Sequence, residues 1–253
     1  MKYFDFTLPT PAENLACDEA LLDLCEGGMP GEILRFWEPN GPFIVVGYAN
    51  EVVREVNLPA CKSQGIPVLR RCSGGGTVVQ GAGCLNYSLI LNIGGREGAG
   101  GQDQGTDKTA PSTASIASTN SYVMQRHRAA IEALVKKPVR VAGHTDLTIG
   151  NLKFSGNAQR RLRHALIFHG TFLLQFDLTA IEQLLPLPSK QPDYRQNRGH
   201  ADFLTNLNLD SAAVKSALRK IWGAEAALEN VPADAIRELA ANKYSTDDWN
   251  FKF

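Results

Sequence analysis

The sequence has no excess charge of either sign. Its 253 residues carry 26 Lys and Arg against 26 Asp and Glu. A surface that coats nucleic acid needs a basic excess, so no nucleic-acid partner is expected. Cysteine is scarce and scattered, at Cys17, Cys25, Cys61, Cys72 and Cys84. No two stand in C-x-x-C spacing and the number is odd, which argues against a structural zinc site or a disulfide framework. No apolar run approaches membrane-spanning length, and Met1-Lys2-Tyr3-Phe4-Asp5 does not open a secretion signal. These absences lead to the expectation of a cytoplasmic chain with reduced thiols and no membrane association.

What remains is an ordinary globular composition, 43% hydrophobic and 21% charged. The length allows one large domain, or one domain with a small appendage. A strand is predicted over residues 2–8. Thr10-Pro11-Ala12-Glu13 then reads as a capping box with proline at the first helical position, opening a helix that stops at Gly27-Gly28. Strands are predicted over 33–37 and 43–46, joined as a hairpin by Asn40-Gly41-Pro42. Further strands are expected at 68–69, 85–91, 139–142 and 166–176, with a second hairpin from 146–149 and 152–155. Helices are expected near Ala60 and over 115–135, 211–222 and 233–243, and the chain from about residue 179 is mostly helical. Residues 94–109 are nearly free of apolar side chains and read as a mobile surface insertion, or alternatively as a lid. Hairpins mixed with crossovers predict an α/β (α+β) fold with a mixed sheet flanked by helices, not a doubly wound one.

Two segments carry chemistry. In Arg70-Arg71-Cys72-Ser73-Gly74-Gly75-Gly76-Thr77-Val78-Val79, two arginines run into three glycines between apolar stretches. Glycine lets the backbone approach a ligand closely, and backbone N–H groups with arginine suit an anion. The second segment runs from His144-Thr145-Asp146 to Lys153-Phe154-Ser155-Gly156-Asn157-Ala158-Gln159. Alternation places Lys153 on the face opposite its apolar neighbours, beside small residues able to line a ligand. His169-Gly170-Thr171 lies within a predicted strand, where a glycine marks close approach of a ligand or another backbone. Arg160, Arg161, Arg163 and His164 read as a solvated turn or as a dock for an acidic partner.

Arg70-Arg71-x-Ser73-Gly74-Gly75-Gly76-x-Val78, followed by Asp146-Leu147, Lys153 to Gln159 and Phe168-His169-Gly170-Thr171, resembles the signatures of the lipoate–protein ligase A family, over roughly residues 1–250. The resemblance implies a class II aminoacyl-tRNA synthetase/biotin synthetase-like fold and a single catalytic domain over 1–253, without a separate accessory domain. It implies ATP and Mg²⁺ as cofactors and lipoate as substrate, activated to lipoyl-AMP. The acyl group would pass to a lysine of an apo lipoyl domain of a 2-oxoacid dehydrogenase complex or of glycine-cleavage H protein; either the single domain suffices or a separate accessory protein assists adenylation.

By the same resemblance Lys153 is catalytic. Arg71, Ser73, Gly74, Gly75, Gly76, Thr77, Val78, Val79, Asp146, Ser155, Gly156, Asn157, Ala158 and His169 bind the acyl-adenylate or nucleotide. No metal ligand is assigned. The acyl tail needs an apolar tunnel, which residues 43–46 with Val78 and Val79 could line. Two positions depart from the family pattern: Gln80-Gly81 replaces a frequent His-Asp pair, and Thr145 replaces a frequent asparagine. The rival readings are an ATP-independent octanoyl or lipoyl transferase, disfavoured because no cysteine lies between Cys84 and Lys153, and a non-catalytic lipoate- or carrier-binding module. Biotin ligase ranks below both because its glycine motif differs.

Overall fold

The structure is a computed structural model that describes residues 1–93 and 113–253, so the predicted insertion at 94–109 lies outside the described residues. In chain order come β1 (Lys2–Asp5), α1 (Pro11–Glu26), β2 (Ile33–Trp37), β3 (Phe43–Val46), α2 (Val52–Glu55), α3 (Leu58–Gln64), β4 (Val68–Arg70), β5 (Val78–Gln80) and β6 (Cys84–Asn92). Then follow α4 (Ile116–Val135), β7 (Val139–Ala142), β8 (Asp146–Ile149), β9 (Leu152–Arg161), β10 (Ala165–Leu173), α5 (Thr179–Leu184), α6 (His200–Phe203), α7 (Ser211–Trp222), β11 (Ala226–Ala227), α8 (Ala233–Leu239) and α9 (Asp247–Asn250). The predicted capping box forms: Thr10 accepts from the Glu13 amide and the Glu13 carboxylate from the Thr10 amide.

Among the described residues the strands make a mixed eight-stranded sheet, β11-β1-β2-β6-β10-β9-β8-β7, and a three-stranded sheet, β4-β3-β5. Side chains alternate between two clusters across the larger sheet. Leu85, Tyr87, Leu89, Phe168 and Phe172 pack beneath α4 and α7, with Val123, Ile131 and Leu218. Ile33, Ile90 and Ile167 face α1 and α8, with Leu21 and Ile236. In β3, Phe43 and Val45 join that second cluster, whereas Ile44 and Val46 join a third with Val52 and Leu184.

Two expectations need correction. The predicted hairpin between 33–37 and 43–46 does not form, because β2 pairs with β1 and β6 and β3 pairs with β4 and β5. Both strands are buried on both faces, so each finds two partners and the Asn40-Gly41-Pro42 turn carries the chain between sheets. The second hairpin does form, but β9 continues to Arg161, and residues 155–158 are strand where a glycine-containing turn was expected. Their bonds go to β10, with Thr171 opposite Gly156 and His169 opposite Ala158.

Candidate functional site

The glycine turn joins β4 to β5, which lie on either side of β3. Its two arginines are committed to backbone carbonyls. Arg70 is fully buried and donates to the carbonyls of Gly47, Tyr48, Asn50, Trp249 and Asn250 at 2.8–3.2 Å. Arg71 donates through Nη2 to Gly74 O at 2.6 Å and Gly76 O at 2.7 Å, and through Nε to Ser73 Oγ at 3.1 Å. Arg71 thus shapes the loop from within. Burial pulls its pKa down to about 10, which leaves it protonated at neutral pH. Of the three glycines, only Gly75 takes a positive φ, +90°, and a Cβ there would meet Arg71 Nη2 at 2.9 Å.

Lys153 leaves β9 on the side away from buried Phe154, as alternation requires. Its Nζ lies 2.8 Å from Asp146 Oδ1, and the Tyr194 hydroxyl donates to the other carboxylate oxygen at 2.7 Å. Both charged side chains are largely shielded from solvent, so the pair interacts more strongly than a surface pair would. Asn157 ties this wall together. Its amide nitrogen donates to Thr145 O at 2.5 Å and its oxygen accepts from Tyr87 at 2.5 Å. The close approach predicted at Gly170 is to this side chain: a Cβ there would fall 1.7 Å from Asn157 Oδ1.

His169 is held from both sides. Its Nδ1 sits 3.1 Å from Asp18 Oδ2 and its Nε2 2.5 Å from Ser73 Oγ. A carboxylate only accepts, so Nδ1 carries the proton and Nε2 accepts from the serine hydroxyl. Asp18 Oδ1 in turn pairs with fully buried Arg35 at 2.5 Å. Burial drives the Asp18 pKa upward, but Arg35 and then His169 outweigh it and hold the carboxyl below its ordinary value. The order Ser–His–Asp is that of an activated hydroxyl. Ser73, however, is 1% exposed, also accepts from Arg71, and does not line the large cavity, so here the array fixes His169 against the loop.

These groups surround one cavity of about 960 Å³. Of the predicted site residues, Arg71, Gly76, Thr77, Val78, Val79, Asp146, Lys153, Ser155, Gly156, Asn157, Ala158 and His169 line it; Ser73, Gly74 and Gly75 do not. Ser73 and Gly74 instead border a smaller pocket of about 350 Å³ with Tyr48, Cys72 and Arg160. Leu15, Trp37, Val45 and Val78 belong to one apolar cluster and line the cavity, Val79 lines it from the third cluster, and of the 43–46 stretch only Val45 contributes. Gln80, at the first departure, also lines the cavity. Its amide donates to Thr171 Oγ1 and accepts from Asn86, and Thr171 donates to Asn86, a closed neutral triangle. Arg160 pairs with Glu19 at 2.5 Å and Arg161 donates to Thr119 and Thr113, so neither belongs to a free basic patch.

Asp18, Trp37, Tyr194, Arg195 and His200 line the cavity without having been singled out in sequence. A signal existed for Asp18, a carboxylate within a helical turn of the apolar Leu15, Cys17, Leu21 and Leu22. A second was the close spacing of Tyr194, Arg195, Arg198 and His200. All five thiols are buried. Burial pushes Cys17 up to about 11 and Cys84 up to about 12, and Cys72 is raised by the same cause. Among the described residues there is no cluster of three or more His, Cys, Asp or Glu to hold a metal ion, and no helix long and apolar enough to cross a membrane.

Residues 10–218 match the family model of the lipoyl protein ligase A/B catalytic domain. The chain belongs to that family. Its fold is the mixed α/β fold of the biotin/lipoate ligases, as the sequence predicted. Within the lipoyl protein ligase A/B family, the chain is 30% identical to a protein of Aeropyrum pernix assigned to lipoate–protein ligase A, covering 93% of this chain and 86% of that one. It is 26% identical to the octanoyltransferase LipM of Geobacillus kaustophilus, covering 99% and 98%. The relatives thus include both ligases and octanoyltransferases, and the chain is an enzyme of that kind. Among solved structures, a lipoate–protein ligase A bound with ATP superimposes with a TM-score of 0.75 at 22% identity, covering 99% of each chain, which shows the shared fold.

Proposed function

We propose that the chain is an ATP-dependent lipoate–protein ligase. It activates lipoate to lipoyl-AMP and transfers the acyl group to a lysine of an apo lipoyl domain or of a related carrier such as glycine-cleavage H protein. The observation that carries this reading over an octanoyl or lipoyl transferase is the state of the cysteines. A thioester route needs an accessible, stabilised thiolate. All five thiols here are buried, and burial pushes Cys17, Cys61, Cys72 and Cys84 further toward the neutral form. Adenylate chemistry needs no protein nucleophile, because the acceptor lysine supplies it.

In the first step the lipoate carboxylate attacks the α-phosphorus of ATP and pyrophosphate leaves. In the second, the acceptor amine attacks the carbonyl, AMP leaves and the amine loses a proton. Charge grows on phosphate in one step and on the acyl oxygen in the other. Lys153 is a three-proton donor held by Asp146, and it can serve both oxygens without releasing its carboxylate partner. The apolar lining at Leu15, Trp37, Val45 and Val78 suits the acyl chain. Asp18, Glu55, Asp146 and Asp193 line the cavity, but among the described residues no three His, Cys, Asp or Glu side chains form a metal cage, which fits a Mg²⁺ that would arrive on the nucleotide with its own phosphate and water ligands. A single catalytic domain over 1–253 belongs to the same reading, since the C-terminal segment packs onto the glycine-turn strand through Trp249 and Asn250. A solved structure of the same fold is of a bi-partite lipoate protein ligase from Thermoplasma acidophilum, studied with its E2 lipoyl domain, so a separate accessory protein is the alternative to a self-sufficient chain.

The test incubates the purified chain with lipoate, Mg-ATP and an apo lipoyl domain. Lipoylation requires ATP and falls by about 10²–10³-fold in Lys153→Ala. Transfer from octanoyl carrier protein without ATP would overturn the ligase reading. Use of preformed lipoyl-AMP but not of ATP would assign adenylation to a partner.

A further inference from the structure

Arg195 is 5% exposed and lines the cavity. A guanidinium taken out of water needs an anion or a full set of acceptors. Arg195 has neither. Its Nε donates to Arg198 O at 3.1 Å and its Nη2 to His200 Nδ1 at 3.3 Å. Its Nη1 has no protein partner among the described residues, and no carboxylate among them lies within ion-pair distance. The contrast with its neighbours is direct. Arg70 and Arg71 are filled by carbonyls, and Arg198 donates to the carbonyls of Asn151, Tyr194, Arg195 and Asp202.

The surroundings aim Arg195, and the one carboxylate whose charge reaches it, Asp146, is already bound by Lys153 and Tyr194. Its guanidinium lies 4.6 Å from the Phe203 ring centroid. The other nitrogen of His200 faces Pro186 O at 3.2 Å and therefore carries the proton, so Nδ1 offers Arg195 a lone pair. Burial lowers the pKa of His200, which keeps that lone pair available. The adjacent Tyr194 bonds Asp146, the partner of Lys153, so Arg195 and Lys153 stand on one connected wall.

We propose that Arg195 is a polyphosphate-binding residue, whose unpartnered Nη1 takes an oxygen of the pyrophosphate moiety of the nucleotide while Lys153 serves the phosphate that becomes acylated. The proposal rests on the reading that the chain activates its acid with ATP. In that step the carboxylate oxygen bonds to the α-phosphorus, the bond to the bridging oxygen breaks, and pyrophosphate leaves with the electron pair. A cation at the leaving group stabilises the growing charge. It has no part in transfer of the acyl group to the acceptor lysine.

Inorganic pyrophosphate is titrated calorimetrically into the full chain, into R195Q, and into R54Q as a control at a 70% exposed arginine. R195Q is expected to bind about tenfold more weakly and R54Q unchanged. No binding to the wild type, or equal binding to R195Q, overturns the proposal. With lipoate and ATP, R195Q lipoylates at least about tenfold more slowly, but from preformed lipoyl-AMP within about twofold of wild type; equal slowing on both routes overturns it. If R195Q does not fold, R195K keeps a cation over Phe203 and must still weaken pyrophosphate at least about threefold. A wild type that binds pyrophosphate at Arg195 yet transfers the acyl group from octanoyl carrier protein without ATP would refute the ligase reading alone.

Discussion

Asp18 and Glu19 are adjacent carboxylates on α1, and each is buried in its own ionic network. Glu19 meets Arg160, Lys243 and Tyr244 at 2.5–2.8 Å, and Asp18 meets Arg35 and His169. Replacing one partner of a buried pair leaves the other charge unpaired. Asp18→Asn should therefore destabilise the fold by about 3 kcal/mol in urea denaturation at pH 7, whereas Asp18→Leu combined with Arg35→Met should recover most of that loss. A D18N variant as stable as wild type would show that the pair contributes little. At this scale the sequence was half legible. Lys153 and Asp146 were found by motif and do meet in the cavity. Arg71 was found too, but residue type could not reveal that its donors turn inward onto Gly74 and Gly76. Asp18 and Arg35 stand seventeen residues apart on a helix and a strand, so no local spacing joins them.

At the scale of elements, the glycine turn separates conformational need from mere smallness. Gly75 holds φ +90° against Arg71, whereas nothing lies within 4 Å of a Cβ built at Gly74 or Gly76. Gly75→Ala should lower stability by about 1–2 kcal/mol, and Gly74→Ala or Gly76→Ala by less than about 0.5 kcal/mol, read from chemical denaturation. Equal effects at all three would remove the argument. Caps and alternation were readable because they are local: α1 begins at its capping box, and β8 and β9 pair as the predicted hairpin. Pairing was not readable where strands are buried on both faces. Nothing in Ile33–Trp37 distinguishes β3 from β6 as its neighbour, and the length of β9 was hidden because its small residues look like a turn.

Across the described molecule two helical layers cover the eight-stranded sheet, and His127 lies where one layer meets it. Its ring is fully buried between Tyr87 and Phe172 of the sheet and Trp222 of α7. Trp222 Nε1 donates to His127 Nε2 at 2.9 Å, so the lone pair that would take a proton faces a donor. Burial lowers the pKa from 6.5 to about 3. The unfolded chain binds that proton near pH 6.5 and the folded chain only near 3, so acid favours unfolding throughout the interval. The stabilisation is fully present above about pH 6.5 and is lost as pH falls toward 3, with a slope approaching about 1.4 kcal/mol per pH unit. Asp18 acts later, because its carboxyl is also held below its ordinary value: its contribution persists above about pH 4 and fades beneath that. Denaturation measured at pH 7.5, 6, 5 and 4 should show wild-type stability declining across the series. His127→Phe, less stable at pH 7.5 for loss of the Trp222 bond, should show a flatter decline. Parallel declines in the two proteins would mean that the acid sensitivity of the fold arises elsewhere, among the carboxylates and not at the joint between α4, α7 and the sheet.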